Sequence, residues 1–323
     1  MSRRCGQRRH LQSEAMEARH RDCAAALTAS KAGRKAGELA AEGARTMIES
    51  HRYRKMKRLA RVVVPGAAVL LSSSRAQSAI SLGEIALAAF QGKGAGSGWD
   101  IAGEVTSALR FIRRNSTVFD VGANKGSWSR EILRRLDGEV CLFLFEPQRT
   151  CITHLAELVD RGATLVTAAV GETDGKAVLY SPCDAAEGAS LYLRKDSYFA
   201  RQDFAPHAVD VISIDRYLRD NGIDSVGYIK MDIEGNELSA LRGARDALSR
   251  HAIGALSFEF GSSNVNSRTF FRDYWDTLTE LSYKIYRVLP GGGILPVLRY
   301  GEELEYFRGA SNYIAAMADP LGG

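Results

Sequence analysis

The chain has 323 residues, enough for one large domain or a domain with a long appendage, and its 45% hydrophobic and 25% charged content is that of a globular protein. The net charge of +5 is unevenly spread: residues 1–61 carry 16 Lys/Arg against 6 Asp/Glu, and the rest of the chain holds 27 against 32. An acidic body argues against a broad nucleic-acid surface on the main domain, and five scattered cysteines without a C-x-x-C pair support neither a zinc ribbon nor a disulfide framework.

The first sixty residues are rich in Arg, Ala, Lys and Glu, and their apolar stripe is mostly alanine, which would bury little. They read as a basic helical or disordered extension, with a sharper alternative in a basic arm that touches anionic lipid or nucleic acid. The basic run HRYRKMKRLAR, residues 51–61, leads into ten apolar residues, VVVPGAAVLL. That pair resembles the opening of a signal peptide but lacks a cleavage context, so the expectation is a cytoplasmic protein with peripheral membrane-surface contact through residues 51–71. No run of 18 apolar residues exists to form a transmembrane helix. Residues 92–99, GKGAGSGW, read as a glycine-rich linker, dividing the chain into an extension at 1–99 and an organised domain at 100–323.

From residue 100 the pattern becomes regular. EVTSALRFIRR has helical spacing, with Val105, Leu109 and Ile112 on one side. TVFDV reads as a strand, SWSREILRRL as a helix, EVCLFLFE as a strand, RTCITHLAELVD as a helix and ATLVTAAV as a strand. KAVLYSP and HAVDVISI are further strands around the polar insert 183–207. GYIKMDI is a strand, NELSALRGARDAL a helix and IGALSFEF a strand. The helical FFRDYWDTLTEL follows; YKIYRVL and SNYIAAM, with the PGGGILP loop between them, supply an antiparallel edge. Strands alternating with helices imply an α/β, doubly wound, mostly parallel sheet with helices on both faces.

In such a sheet ligands bind at the C-terminal strand ends, near the point where strand order reverses. In VFDVGANKGSW, residues 118–128, Asp120 and Gly122 fall at such an end. A dinucleotide fingerprint needs glycine where this turn has Asn124, so no pyrophosphate is expected and a nicotinamide dehydrogenase is disfavoured. A ligand carrying a carboxylate and an ammonium, such as S-adenosylmethionine, fits better. Asp120 would take the ammonium, directly or through water, and turn amides the carboxylate. Glu146, 26 residues beyond Asp120, stands at a strand end where an acid accepts both ribose hydroxyls of a nucleoside.

Within YIKMDIEGNE, period-2 alternation puts Tyr228, Lys230 and Asp232 on one face. Lys230 in a strand needs an acid partner, because burying an unpaired ammonium is costly. Asp232 and Glu234, with Glu259 from LSFEFG, form an acidic mouth able to act as general base for a hydroxyl or to hold a hard divalent cation such as Mg. Sequence leaves those two roles, and any metal ligands, open. Glu237 reads as an acid favoured at a helix N-terminus. His154 reads as helical, His207 and His251 as loop residues, and all three as surface or structural histidines.

With these residues assembled, the chain resembles the FkbM family of S-adenosylmethionine-dependent methyltransferases, within the class I methyltransferase fold. The marks are FDVGANKGSWS, FEP at 145–147, AAVGETDG at 168–175, SIDRYL at 213–218, IKMDIEGNE at 229–237, SFEF at 257–260 and NY at 312–313. The resemblance covers residues 100–317. It implies a Rossmann-like, seven-stranded sheet and methyl transfer to oxygen on sugars of polysaccharides or glycolipids, or on natural-product hydroxyls. Carried over by position, Asp120, Gly122, Asn124 and Gly126 would hold the methionine part and Glu146 the ribose, with Pro147 and Ala169 in the same cofactor site. Lys230, Asp232, Glu234 and Glu259 would line the reaction end. The implied acceptor is a small molecule or glycan rather than nucleic acid. The insert 183–207, the loop 290–296 and the aromatic residues Tyr192, Tyr198, Phe199 and Trp275 are expected to shape its site, although Trp275 fits the core as well. Two other readings stay open: a methyltransferase of protein or nucleic acid docking through the basic arm, and a non-catalytic binding module of the same fold.

Overall fold

The computed structural model describes residues 58, 61, 64–94, 96, 100–183, 188–195, 199 and 201–318. The extension before residue 58, most of the run 51–61, Trp99 and Tyr198 lie outside the described residues. The chain divides into two units, residues 1–80 and 81–323. In the first, residues 64–70 are helical. Helix α1, Ser74–Phe90, crosses the boundary. Among the described residues no helix is long and apolar enough to cross a membrane.

In the larger unit, the described part of the glycine-rich stretch is packed rather than free. Gly94 N donates to Ser311 Oγ at 3.2 Å, and Gly96 N donates to Ala310 O at 2.8 Å. Helix α2, Ile101–Ala108, is capped by Asp100, whose Oδ1 accepts from Gly103 N at 2.9 Å. The elements that follow are β1 (Thr117–Val121), α3 (Ser127–Arg135), β2 (Cys141–Phe145), α4 (Arg149–Asp160), β3 (Thr164–Val166), β4 (Ala169–Val170), β5 (Gly175–Pro182) and β6 (Phe204–Ile212). Next come α5 (Ile214–Asp220), β7 (Val226–Met231), α6 (Glu237–Arg242), α7 (Arg245–Ser249), β8 (Ile253–Phe260), α8 (Ser263–Ser267), α9 (Phe271–Glu280), β9 (Lys284–Val288), β10 (Ile294–Val297) and β11 (Ser311–Ala316).

Eight strands form one sheet in the order β10-β9-β11-β8-β7-β1-β2-β3. The five from β3 to β8 are parallel, and β11 runs antiparallel to both β8 and β9. From β1 the chain works outward to β2 and β3, then returns to β7 on the other side. The switch point therefore lies between β1 and β7. Both faces are covered, which is why the central strands are nearly continuous apolar runs. One core holds Phe119, Ile229, Leu256 and Phe258, and the other holds Val118, Tyr228, Ile132 and Leu155.

The structure corrects the sequence pattern in four places. The PGGGILP stretch is not all loop: after a turn at Pro290–Gly292 it becomes β10, the eighth strand, paired antiparallel with β9. ATLVTAAV breaks into β3 in the large sheet and β4 in a second sheet of order β4-β6-β5. His207 lies within β6 rather than in a loop. NELSALRGARDAL breaks at Gly243 into α6 and α7.

The close packing at this break requires a glycine. Gly243 passes so close to the preceding β4 loop that a Cβ would lie 2.1 Å from Gly171 O, a backbone atom. Gly243→Ala is expected to lower the unfolding free energy by roughly 1–3 kcal/mol, the usual range for overpacking, measured as a shift in the urea midpoint at constant m-value.

Candidate functional site

The turn after β1 is built around one close approach. Gly122 adopts φ +82°, and a Cβ there would lie 2.0 Å from Asp232 O, so a side chain would push β1 and the β7 end apart. Gly122 N and Ala123 N both donate to Phe145 O, at 3.0 and 3.1 Å, and Asn124 N donates to Glu146 Oε2 at 2.7 Å. These three amides tie the turn to the end of β2. Asn124 itself sits at φ +49°, and its Oδ1 accepts from Cys151 Sγ at 3.3 Å. Gly126 serves packing: a Cβ on it would come within 2.6 Å of Leu158 and 2.9 Å of Leu155.

Strand register assembles the charges. Asp120 on β1 pairs in register with Lys230 on β7, and the shared alternation sends both side chains to one face. Lys230 Nζ lies 3.3 Å from Asp120 Oδ1 and 3.4 Å from Asp232 Oδ2, and it donates to Gly122 O at 3.4 Å. Asp120 is fully buried, and its Oδ2 accepts from Ser129 Oγ at 2.6 Å. Burial alone would lower the Lys230 pKa, but Asp120, Asp232 and Glu104 more than offset it and raise it, so the ammonium stays charged. The ammonium partner expected for Asp120 from a ligand is supplied from within, by Lys230.

A cavity of about 320 Å³ opens at these strand ends. Gly122, Asn124, Glu146, Pro147, Ala169, Lys230, Asp232 and Glu234 line it, so eight of the eleven residues singled out in the sequence converge there. Asp120, Gly126 and Glu259 are not in its wall. Glu259 is buried, and its Oε1 has no hydrogen-bond partner. Burial, then the carboxylates of Asp232, Glu234, Glu237 and Glu104, holds its pKa well above the usual range. Glu234, at φ +55°, is ion-paired with Arg194, whose guanidinium sits 4.2 Å from the Phe199 ring centroid. Ser190 Oγ donates to Glu234 O at 2.8 Å. Glu234 thus fastens the insert to the β7 loop, and Gly188–Leu191 of that insert line the cavity. The loop at 290–292 does not. It packs on α2, with Gly291 N donating to Asp100 Oδ2 at 2.7 Å.

Sequence reasoning missed Glu104. This α2 residue lines the main cavity and also a smaller void of about 20 Å³ behind it, shared with Trp128, Lys230 and Asp232. Asn312 Nδ2 donates to Glu104 Oε1 at 2.8 Å. Burial and the charge of Asp232 push its pKa up to about 7. An acid in the first turn of an amphipathic helix was the only signal available, and that signal is ordinary. Glu237, by contrast, holds the β7 loop: its Oε1 accepts from Ile233 N at 2.9 Å and its Oε2 from Gly235 N at 3.0 Å. Among the described residues no group of three or more His, Cys, Asp or Glu is arranged to hold a metal ion.

A family model described as Methyltransferase FkbM domain matches residues 120–285. A search of curated proteins returned no match. Among solved structures, the chain is similar to precorrin-6y C5,15-methyltransferase from Geobacter metallireducens, at 13% identity over 66% of this chain and 86% of that one, TM-score 0.35. It is also similar to fibrillarin from Aeropyrum pernix, a structure with natively bound S-adenosyl-L-methionine, at 11% identity over 66% and 74% of the two chains, TM-score 0.35. A third is a methyltransferase from Aquifex aeolicus, at 13% identity over 67% and 89%, TM-score 0.35.

Glu146 gives the site a pH signature. Burial pushes its pKa up to about 7, against the lowering effect of the Gln148 and Asn124 amides. A raised acid binds more protons folded than unfolded, so its contribution is full below the ordinary carboxylate range and is lost as pH rises through about 7. Glu146→Gln in the ligand-free protein is expected to flatten this decline between about pH 5 and pH 7, by up to ~1.4 kcal/mol per pH unit, read from urea unfolding at each pH.

Proposed function

The chain belongs to the FkbM family of S-adenosylmethionine-dependent methyltransferases, and from that premise we propose that it methylates a hydroxyl oxygen on a sugar, glycolipid, polysaccharide or natural product. The observation that carries this reading is the pair of carboxylates, Glu104 and Asp232, in the cavity wall beside the Lys230 ammonium. A hydroxyl is a weak nucleophile until a base takes its proton, and a buried carboxylate with pKa near operating pH suits that task.

The cavity suits the methyl donor. Each Glu146 oxygen accepts one backbone amide, Oε2 from Asn124 and Oε1 from Gln148 at 2.8 Å, and each keeps a second lone pair for a ribose hydroxyl. Lys230 and Asp232, 3.4 Å apart in the wall, match the carboxylate and ammonium of an amino-acid end. Pro147 and Ala169 add apolar wall. When bound, S-adenosylmethionine supplies a sulfonium methyl open to displacement.

Asp232 is held in its ion pair with Lys230, whereas Glu104 meets a neutral amide, Asn312. Glu104 is therefore the better-placed base: its carboxylate accepts the hydroxyl proton as the acceptor oxygen attacks. The insert residues Gly188–Leu191 line the same cavity and supply the wall that an acceptor would meet.

Cell extract incubated with methyl-labelled S-adenosylmethionine tests the acceptor. An ether methyl survives mild alkali and is released as methyl iodide by hydriodic acid. Alkali-labile label, or label on protein or RNA that vanishes when residues 1–60 are deleted, would overturn the hydroxyl reading. Glu104→Gln is expected to lower kcat by ~10²–10⁴ and to remove a rising limb of rate near pH 7, with cofactor Kd changed less than about threefold. Unchanged kcat would exclude Glu104 as the base.

A further inference from the structure

Asn312 stands outside the main cavity yet touches the residue that serves it as base. It lies on β11, in register with Glu259 on β8, and alternation puts it on the sheet face of Ile314, whereas Tyr313 joins the opposite core. From there its Nδ2 donates to Glu104 Oε1 at 2.8 Å, joining β11 to α2 across 208 residues of chain. Asn312 lines the small void behind the cavity and not the cavity itself, so it reaches an acceptor only through Glu104. Among the described residues no other hydrogen-bond donor meets the Glu104 carboxylate, so Oε1 is held and Oε2 is left for a ligand.

The charged groups around Glu104 do not hold it in this way. Lys230 is shared between Asp120 and Asp232. Asp232 and Glu259, from the β7 and β8 ends, and Asp100, from the cap of α2, are acids that oppose its charge. The buried Tyr228 hydroxyl stays protonated, its pKa raised by burial. On α3, Arg135 pairs with Glu131 and donates to Thr106 and Ala102 of α2. A cation bound directly to Glu104 would weaken it as a base, as Lys230 weakens Asp232. A neutral amide orients the carboxylate without cancelling its charge.

We propose that Asn312 is a positioning residue for the methyl transfer: its side-chain amide pins Glu104 by Oε1 and presents Oε2 to the acceptor hydroxyl. This role rests on Glu104 being the base. The acceptor O–H bond breaks as its proton passes to Oε2. The oxygen keeps the electron pair with which it bonds the methyl carbon, and the carbon–sulfur pair leaves with the sulfur. Because an amide donates more strongly to a carboxylate than to a carboxylic acid, Asn312 also favours the form of Glu104 that can take the proton.

Two measurements on the full chain test it. The first needs no acceptor: the side-chain carboxyls of isotope-labelled glutamates are titrated by carbon NMR, and the Glu104 signal is assigned by its loss in Glu104→Gln. Asn312→Ala, and Asn312→Asp with the same shape but no donor, should each move the Glu104 midpoint up by about one pH unit. The second is the initial rate of methyl transfer from labelled S-adenosylmethionine to cell extract. Its rising limb should move up with the midpoint in both variants, while the calorimetric Kd for S-adenosylmethionine changes less than about threefold. A midpoint unmoved in both variants, or a rate lowered equally at every pH, would overturn the positioning role and leave Asn312 a tie between β11 and α2. Full rate in Glu104→Gln would instead overturn the base itself, and the positioning role with it.

Discussion

The site depends on one buried ammonium shared between two strands. Lys230 neutralises Asp120 on β1 and Asp232 after β7, and it donates to the carbonyl of the turn glycine between them. Such a cluster is stable only while complete: removing one member of a buried ion pair commonly costs ~3–5 kcal/mol, because the remaining charge is stranded. Here the cluster sits where the chain reverses its order in the sheet. The interaction that joins β1 to β7 is also the one that shapes the ligand pocket.

Around that cation the wall is short of partners for its acids. Glu104 and Glu146 lie in the wall with pKa values near 7, and Glu259, outside it, is also raised, in each case first by burial. Backbone amides satisfy Glu146 only in part. Groups perturbed in this way concentrate where a protein binds or converts a ligand. The strain is local, since the surrounding cores are apolar on both sheet faces.

Much of this was legible in the sequence because the relevant signals are local. TVFDV and IGALSFEF match β1 and β8 residue for residue, since strands covered on both faces are apolar over most of their length. The alternation in YIKMDI correctly placed Tyr228 and Lys230 on one face. What escaped was set by contacts distant in sequence. Glu104 reaches the pocket on a helix held by contacts distant in sequence, Asp100 with Gly291 and Arg135 with Ala102 and Thr106. Asp120 looked free to bind a ligand because its partner lies 110 residues away. The amides of Gly122 and Ala123 are bound to Phe145 O, on another strand, a pairing that the local sequence does not show. Gly243 falls within the helical run NELSALRGARDAL, and the Gly171 carbonyl that requires a glycine there is 72 residues earlier in the chain.

The second sheet has a bearing on how such a protein changes over time. The insert leaves β5 at Pro182 and returns at Phe204, and those two strands pair with each other along their whole length. Among the described residues, Ser190 and Arg194 fasten it to the β7 loop. Residues can be added or removed between these fixed ends without shifting the register of a single strand in the large sheet. The part of the cavity wall that the insert supplies is therefore free to diverge, while the part built on β1 and β7 is locked to the core.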